Sequence, residues 1–175
     1  EKNKWLGDVV MLKTSRFDDV KNGVDAVVEF QPQGAEDVAA HMAVAIDVTF
    51  NANAGGEKLS RIVAQIDSGE LARVKYLNSP SVHGSIEAPE IILGVDRNHV
   101  KQLAEEWAES MDVHASGSFD QHPARMMIAV QALEQCKALS AYAAYKGNTR
   151  AEQQYARVGE LFAASLARTG WKRNN

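Results

Sequence analysis

Cysteines and long apolar runs are scarce in this sequence. A single cysteine, Cys136, among 175 residues excludes an internal disulfide and also a cysteine-based zinc site of the usual kind. No apolar run approaches the roughly 18 residues that a membrane-spanning helix needs. The first ten residues, EKNKWLGDVV, lack the apolar core of a signal peptide. We therefore expect a soluble, cytoplasmic protein with no membrane partner.

An excess of basic residues is also missing. The formal net charge is −4 and the pI is about 5.7, so the whole chain does not have the cationic character of a typical nucleic-acid-binding domain. Contact with nucleic acid would have to use local clusters such as LARTGWKR near the C-terminus. The hydrophobic fraction of 45% is sufficient for the core of one ordinary domain.

The pattern of apolar residues predicts a mixed α/β fold. β-branched and apolar runs predict strands at 7–14, 24–30, 41–50, 72–78 and 90–96, and helical spacing predicts helices at 57–71, 97–111, 123–146 and 149–169. The strands 24–30 and 41–50 are close enough in the chain to form an antiparallel hairpin. The expected fold class is α/β (α+β), a mixed central β-sheet flanked by helices, with a C-terminal α-helical hairpin.

A change in composition after residue 112 suggests a domain organisation. We assign residues 1–112 to an α/β domain. Residues 113–122, which contain Ser and Gly and are followed by Pro123, are assigned to a linker. Residues 123–175 then form the helical hairpin, which we expect to pack on the same domain. A hairpin with Ala- and Leu-rich faces could instead pair with a second copy or with another part of a larger parent protein.

Two carboxylates are expected at one end of this sheet. Asp25 begins the second predicted strand and Asp47 lies near the end of the third, so an antiparallel pairing brings them to the same end. Paired carboxylates in a dry site repel unless a cation lies between them, and oxygen ligands suit Mg²⁺ or Mn²⁺. The alternative is that both residues cap turns, which is a common role for an Asp beside Asn-Gly.

The pattern DD…NGVD, followed by an apolar strand and then a hydrophobic strand ending in IDVT, resembles the PD-(D/E)xK nuclease superfamily. The resemblance covers roughly residues 7–110 by order of elements and implies a restriction-endonuclease-like fold. It also implies that Asp25 and Asp47 hold Mg²⁺ (or Mn²⁺), with the Val48 carbonyl as a further ligand. The implied activity is hydrolysis of phosphodiester bonds in nucleic acid, with DNA as the expected substrate.

Thr49 departs from that family pattern, because it occupies the position of the motif lysine. The lysine positions the attacking water and balances negative charge, which threonine cannot do. Lys58, in the following predicted helix, is our candidate for the same role, with Lys13 and Lys75 as further candidates. The alternative for Lys58 is an ordinary first-turn residue beside Glu57.

Two other functions stay open at this point. The chain could be a catalytically inactive member of the same fold that serves as a binding or assembly module, or its carboxylates could bind a metal only structurally. Other chemistries find no support in the sequence, because the five histidines have no metal-ligand spacing and VHGSIE does not match the serine-hydrolase motif G-x-S-x-G.

Overall fold

The computed structural model describes residues 9–30, 40–49, 52–112 and 123–168 and has a mixed α/β fold. Its strands are β1 (Val10–Lys13), β2 (Ala26–Phe30), β3 (Ala40–Thr49), β4 (Ala72–Asn78), β5 (His83–Ala88) and β6 (Glu90–Asp96). Its helices are α1 (Ala52–Ser68), α2 (Arg97–Asp112), α3 (Pro123–Tyr145) and α4 (Thr149–Arg168), and a π-helical turn covers Asp18–Asn22. The predicted linker, 113–122, lies outside the described residues.

The main sheet has four strands in the order β1-β2-β3-β6. β1, β2 and β3 form an antiparallel meander, while β6 runs parallel to β3. A parallel neighbour requires a crossover, and α1 together with the two-stranded β4–β5 hairpin supplies it. The predicted mixed sheet and the predicted β2–β3 hairpin are both confirmed.

β2 is the central strand of the fold, and all five of its residues are buried. One hydrophobic cluster joins the sheet to α1, α3 and α4 and includes Val28, Met42, Ile62, Ile66, Ile91, Leu133, Tyr155 and Phe162. A second cluster joins β2 to the β4–β5 hairpin and includes Val24, Val27, Ala72, Val74, Leu77 and Ala88. The C-terminal helices therefore share the core of the sheet.

Two segments have a different secondary structure from the one that the sequence predicts. α1 begins at Ala52 rather than at residue 57, so the segment NANAGG does not break the chain. Alanine is the strongest helix former, and a glycine costs only about 1 kcal/mol within a helix. β5 lies in the segment predicted to be a loop, 79–89. Its residues are mostly exposed, so it lacks the apolar alternation that identifies a strand.

The free edge of β6 is capped by side chains of the C-terminal helices. The Gln135 amide accepts from the Ile92 N–H at 2.9 Å and donates to the Ile92 carbonyl, and Gln131 bonds Gly94 in the same way at 3.1 Å. Gln131 and Gln135 are four residues apart on α3, a rise of about 6 Å, and Ile92 and Gly94 are two residues apart on β6, a rise of about 6.6 Å. The spacing of the two glutamines along the helix therefore matches the spacing of their partners along the strand. An edge that could pair with another strand is thereby satisfied within the chain.

Candidate functional site

The first residues of β2 are fixed by the turn that precedes them. The π-helical turn ends at Gly23, whose φ of 69° lies in the left-handed region that favours glycine. The Thr14 hydroxyl then donates to the carbonyls of Val24, at 2.6 Å, and Asp25, at 3.1 Å. Because these bonds hold the backbone on both sides, the Asp25 carboxylate has a defined position at the end of the sheet.

Lys58 of α1 reaches this carboxylate. Its Nζ lies 3.8 Å from Asp25 Oδ2, and the two side chains are 27% and 30% exposed, so a ligand from solvent could approach both. Burial of Ile62 and Ile66 fixes which side of α1 packs on the protein, and with it the direction of the first turns.

Arg61, three residues after Lys58, connects α1 to the turn before β2 and to the start of β6. Its Nη2 donates to the Gly23 carbonyl at 3.2 Å and forms a short ion pair with Glu90 at the start of β6. A Cβ atom at position 23 would overlap the Arg61 guanidinium. Gly23 is therefore favoured by its backbone conformation, and a side chain at this position would displace the Arg61 guanidinium from its contacts.

Glu90 is a fully buried carboxyl group beside this cluster. Burial raises its pKa to about 7, although the charges of Arg61 and Lys58 oppose the shift, and the negative charge of Asp25 adds to it. The Tyr155 hydroxyl accepts from the Glu90 N–H at 3.1 Å and donates to its carbonyl at 2.9 Å. The Oε2 atom has no hydrogen-bond partner among the described residues. The Arg61 guanidinium and the titratable Glu90 carboxyl thus lie beside the Asp25–Lys58 contact.

The predicted site residues are brought together in part. Asp25 and Lys58 are in contact, whereas Asp47, Val48 and Thr49 are described only by their backbone, which pairs with residues 94–96 of β6. Their side chains lie outside the described part of the structure, so the predicted metal ligation stays a prediction. No group of three or more His, Cys, Asp or Glu side chains that could hold a metal occurs among the described side chains.

Sequence reasoning missed Arg61, Glu90 and the role of Gly23. One signal for Arg61 was present, because a residue three positions after Lys58 shares its side of a helix. Nothing in the local sequence distinguishes Glu90 from an exposed residue at the start of a strand, since its burial depends on α1 and α4. Lys75, another candidate for the lysine role, instead contacts the rings of Phe17 and Tyr76.

Asp18 has a structural role that excludes it from ligand binding. Its buried carboxylate accepts from the backbone N–H groups of Lys75, at 2.7 Å, and Tyr76, at 3.1 Å, and from Ser15 and Asn22. The β4–β5 pairing is irregular at this point, so the two N–H groups bond to Asp18 instead of to β5. Burial raises the pKa of Asp18, but these hydrogen bonds outweigh it, and the net shift is downward.

A Glu29–His41–Ser81 cluster does not form a catalytic triad. Glu29 Oε2 lies 3.1 Å from His41 Nε2 and accepts from the Ser81 hydroxyl at 2.6 Å. In a triad the carboxylate holds one imidazole nitrogen and the serine the other. Here both groups meet the same nitrogen, since Ser81 Oγ lies 3.4 Å from Nε2. We interpret His41 and Ser81 as the hydrogen-bond partners that the fully buried Glu29 carboxylate requires.

A cavity of about 510 Å³ lies between α3 and α4 and is lined mainly by small and apolar side chains. Cys136 belongs to its lining, and burial raises the pKa of this thiol to about 12. The thiol is therefore protonated at neutral pH and is a poor nucleophile. Asp25, Lys58, Arg61 and Glu90 do not line the cavity, although Tyr155, which bonds the Glu90 backbone, does.

Comparisons of the chain with protein-family models, with curated proteins and with solved structures gave no match. Within the described part of the chain, no helix is both long and apolar enough to cross a bilayer.

Proposed function

We propose that the protein is a metal-dependent nuclease-like domain of the PD-(D/E)xK type that hydrolyses phosphodiester bonds of nucleic acid. The observation that carries the proposal is the 3.8 Å contact between Lys58 Nζ and Asp25 Oδ2 at the end of a mixed sheet. An acid beside the first residues of a strand, with a lysine brought to it from a neighbouring element, is one part of the arrangement that the resemblance implies. The substrate, DNA, and the cytoplasmic location are part of the proposal.

The strand register supports a role for Asp47 beside Asp25. Asp25 immediately precedes Ala26, whose partner on β3 is Val44, so position 25 is level with position 45. Side chains alternate along a strand with a repeat of two residues. Positions 25, 45 and 47 are therefore predicted to share one face of the sheet, and the two acids to share one end of it.

The chemistry of the donor set fits a hard divalent cation. Asp25 and Asp47 would supply carboxylate oxygens and Val48 a carbonyl oxygen, which are the ligand types that Mg²⁺ and Mn²⁺ prefer. The buried Oε2 of Glu90, which has no hydrogen-bond partner within the described residues, adds acceptor capacity near Asp25. When bound, Mg²⁺ or Mn²⁺ would polarise the phosphate and lower the pKa of a bound water.

The remaining residues position and balance charge. The Lys58 ammonium, which contacts Asp25, would offset the negative charge that develops on a phosphate during attack, which is the role of the motif lysine that Thr49 cannot fill. Arg61 acts as a positioning residue, because its bonds to the Gly23 carbonyl and to Glu90 tie α1 to the beginnings of β2 and β6. Glu90 in turn holds Arg61 in place.

A cleavage assay tests the proposal. Wild-type protein, Asp25→Asn and Asp47→Asn are incubated with single- and double-stranded DNA and RNA in Mg²⁺ or Mn²⁺. We expect cleavage by the wild type and a loss of about 100-fold or more in each variant, because each removes a charged oxygen ligand. Asp19→Asn is the matched control, since Asp19 is exposed in the neighbouring turn and outside the site.

An inactive binding or assembly module is the second candidate, and Thr49 at the lysine position favours it. This candidate predicts that the wild-type protein cleaves none of the four substrates and that Mn²⁺ gives no heat of binding in a calorimeter. Either cleavage that is unchanged in Asp25→Asn or this pair of negative results would remove the nuclease proposal.

A further inference from the structure

Two exposed aromatic rings contact each other at the turn that precedes Asp25 in the chain. Phe17 is 43% exposed and Tyr76 is 52% exposed, and their rings meet edge to face with centroids 5.5 Å apart. The Lys75 ammonium lies 5.1 Å from the Phe17 centroid and 5.0 Å from the Tyr76 centroid. Large aromatic side chains that stay in water, in contact with a shared cation, need an explanation beyond the core.

We call the cluster of Phe17, Lys75 and Tyr76 the aromatic platform. Its two backbone segments are joined by the Asp18 carboxylate. Phe17 immediately precedes Asp18, and the buried Asp18 carboxylate accepts from the N–H groups of Lys75 and Tyr76. A buried carboxylate is costly, so it requires several hydrogen bonds, and here those bonds join the two segments that carry the rings. The backbone segments that carry the rings are thus held together by contacts that do not depend on the ring side chains.

The platform is linked to Asp25 through the Asp18–Asn22 turn. The turn that begins beside Phe17 ends at Gly23, and the Val24 N–H donates to the Asp18 carbonyl at 3.2 Å. Lys75 is the cation in contact with the rings, and Glu87 lies opposite Arg73 on the neighbouring strand. Arg16, Lys21 and Arg73 are exposed beside the ring residues in sequence, with Asp19 as the exposed acid of the turn.

We propose that the aromatic platform stacks the bases of single-stranded nucleic acid at the turn that precedes Asp25. Every base has a flat face that can stack on an aromatic ring, and its backbone attracts cations, so paired rings with a lysine suit an unpaired strand of any sequence. In a duplex the bases are already stacked on each other and do not offer these faces. The inference rests on the proposed nuclease function, which names nucleic acid as the substrate, and it narrows that substrate to single strands.

Fluorescence anisotropy with a labelled 12-nucleotide oligothymidylate tests the platform. The measurement is made in EDTA, so that metal-dependent cleavage does not occur. We expect Phe17→Ala and Tyr76→Ala each to weaken binding about tenfold, because one stacked base is lost. Tyr76→Phe should bind as the wild type does, since the ring is kept. Tyr145→Ala is the matched control, because Tyr145 is 83% exposed at the end of α3 and belongs to no part of the platform.

A second probe separates stacking from charge. An oligonucleotide of the same length with abasic sites at its centre should bind the wild type about tenfold more weakly, and Tyr76→Ala should add little further loss. Equal binding of the two probes, or alanine variants that bind as the wild type does, would overturn the platform. Failure of the wild type to bind the oligothymidylate would also overturn the proposal, and contact with a protein partner would then be the remaining explanation for the exposed rings.

The outcomes for the two proposals are distinguishable. Base-dependent binding by a protein that cleaves nothing would retain the platform and remove the nuclease. Cleavage that Asp25→Asn abolishes, together with binding that ignores Phe17 and Tyr76, would do the reverse. Thermal unfolding of each variant shows that it is folded, and we expect little change because the Asp18 bonds use the backbone of Tyr76.

Discussion

Glu90 carries a carboxyl group whose titration is coupled to folding. Its pKa in the folded protein, about 7, lies above its ordinary value of 4.5 because it is fully buried. The stability it contributes is therefore fully present below about pH 4.5 and is lost as the pH rises through about 7. Arg61 reduces this effect without cancelling it.

Replacing Glu90 by glutamine should remove that pH dependence. Between pH 5 and pH 8 we expect the wild type to lose on the order of 3 kcal/mol of unfolding free energy more than Glu90→Gln does. Urea unfolding at the two pH values measures the difference, and Glu70→Gln, at an exposed position, is the control. Equal slopes for wild type and Glu90→Gln would show that Glu90 is not buried as described.

Asp18 and Asp19 are neighbours in sequence with opposite environments. Asp18→Ala removes the acceptor of two backbone N–H groups and should lower the unfolding free energy by about 3 kcal/mol. Asp19→Ala, at an exposed position, should change it by less than about 0.5 kcal/mol. Chemical denaturation at pH 7 compares the two, and similar losses would contradict the assigned role of Asp18.

The stability from Asp18 also has a defined pH dependence. Because hydrogen bonds lower its pKa below 3.8, its contribution is present above about that pH and is lost as the pH falls through the pKa of the folded protein. Asp18→Ala should therefore lose less stability on acidification than the wild type does.

At the scale of elements, the edge of β6 depends on α3. Removing Gln131 and Gln135 together would leave the N–H and C=O groups of Ile92 and Gly94 without these partners. An unpaired edge can then join the edge of another chain.

The double variant Gln131→Ala, Gln135→Ala should consequently be less stable by about 2 kcal/mol and should self-associate more than the wild type as its concentration rises. Sedimentation velocity at several concentrations measures the association. Gln153→Ala, at an exposed position of α4, should behave as the wild type does. A double variant with the wild-type mass at every concentration would contradict the role of the two glutamines.

Elements with a strong apolar repeat were predictable, and their mutual contacts were not. The predicted strands 72–78 and 90–96 agree with β4 and β6, and the predicted helix 97–111 agrees with α2 to within one residue. β5 was missed because most of it faces water and no repeat marks it. The start of α1 was missed because glycine and asparagine at the end of a strand are typical of turns.

At the scale of the whole molecule, the candidate site forms because α1, which follows β3, brings Lys58 and Arg61 to the residues that precede β2. Sequence order alone predicted that Asp25 and Asp47 lie at one end of the sheet, since that follows from an antiparallel pairing. The ion pair between Arg61 and Glu90 joins residues 29 positions apart, and no local pattern encodes it. The sequence thus predicted Asp25 as a site residue, whereas Arg61 and Glu90 became evident only from the structure.

One rate measurement tests most directly the proposal that Lys58 fills the role of the motif lysine, whose position Thr49 occupies. Single-turnover cleavage of a labelled single-stranded oligonucleotide in Mn²⁺ is compared for the wild type, Lys58→Met and Lys101→Met. Lys101, on α2, pairs with Glu105 at the surface and serves as the matched control. We predict a rate about 100-fold or more lower for Lys58→Met and an unchanged rate for Lys101→Met. Cleavage by Lys58→Met at the wild-type rate, or no cleavage by the wild type, would contradict the claim.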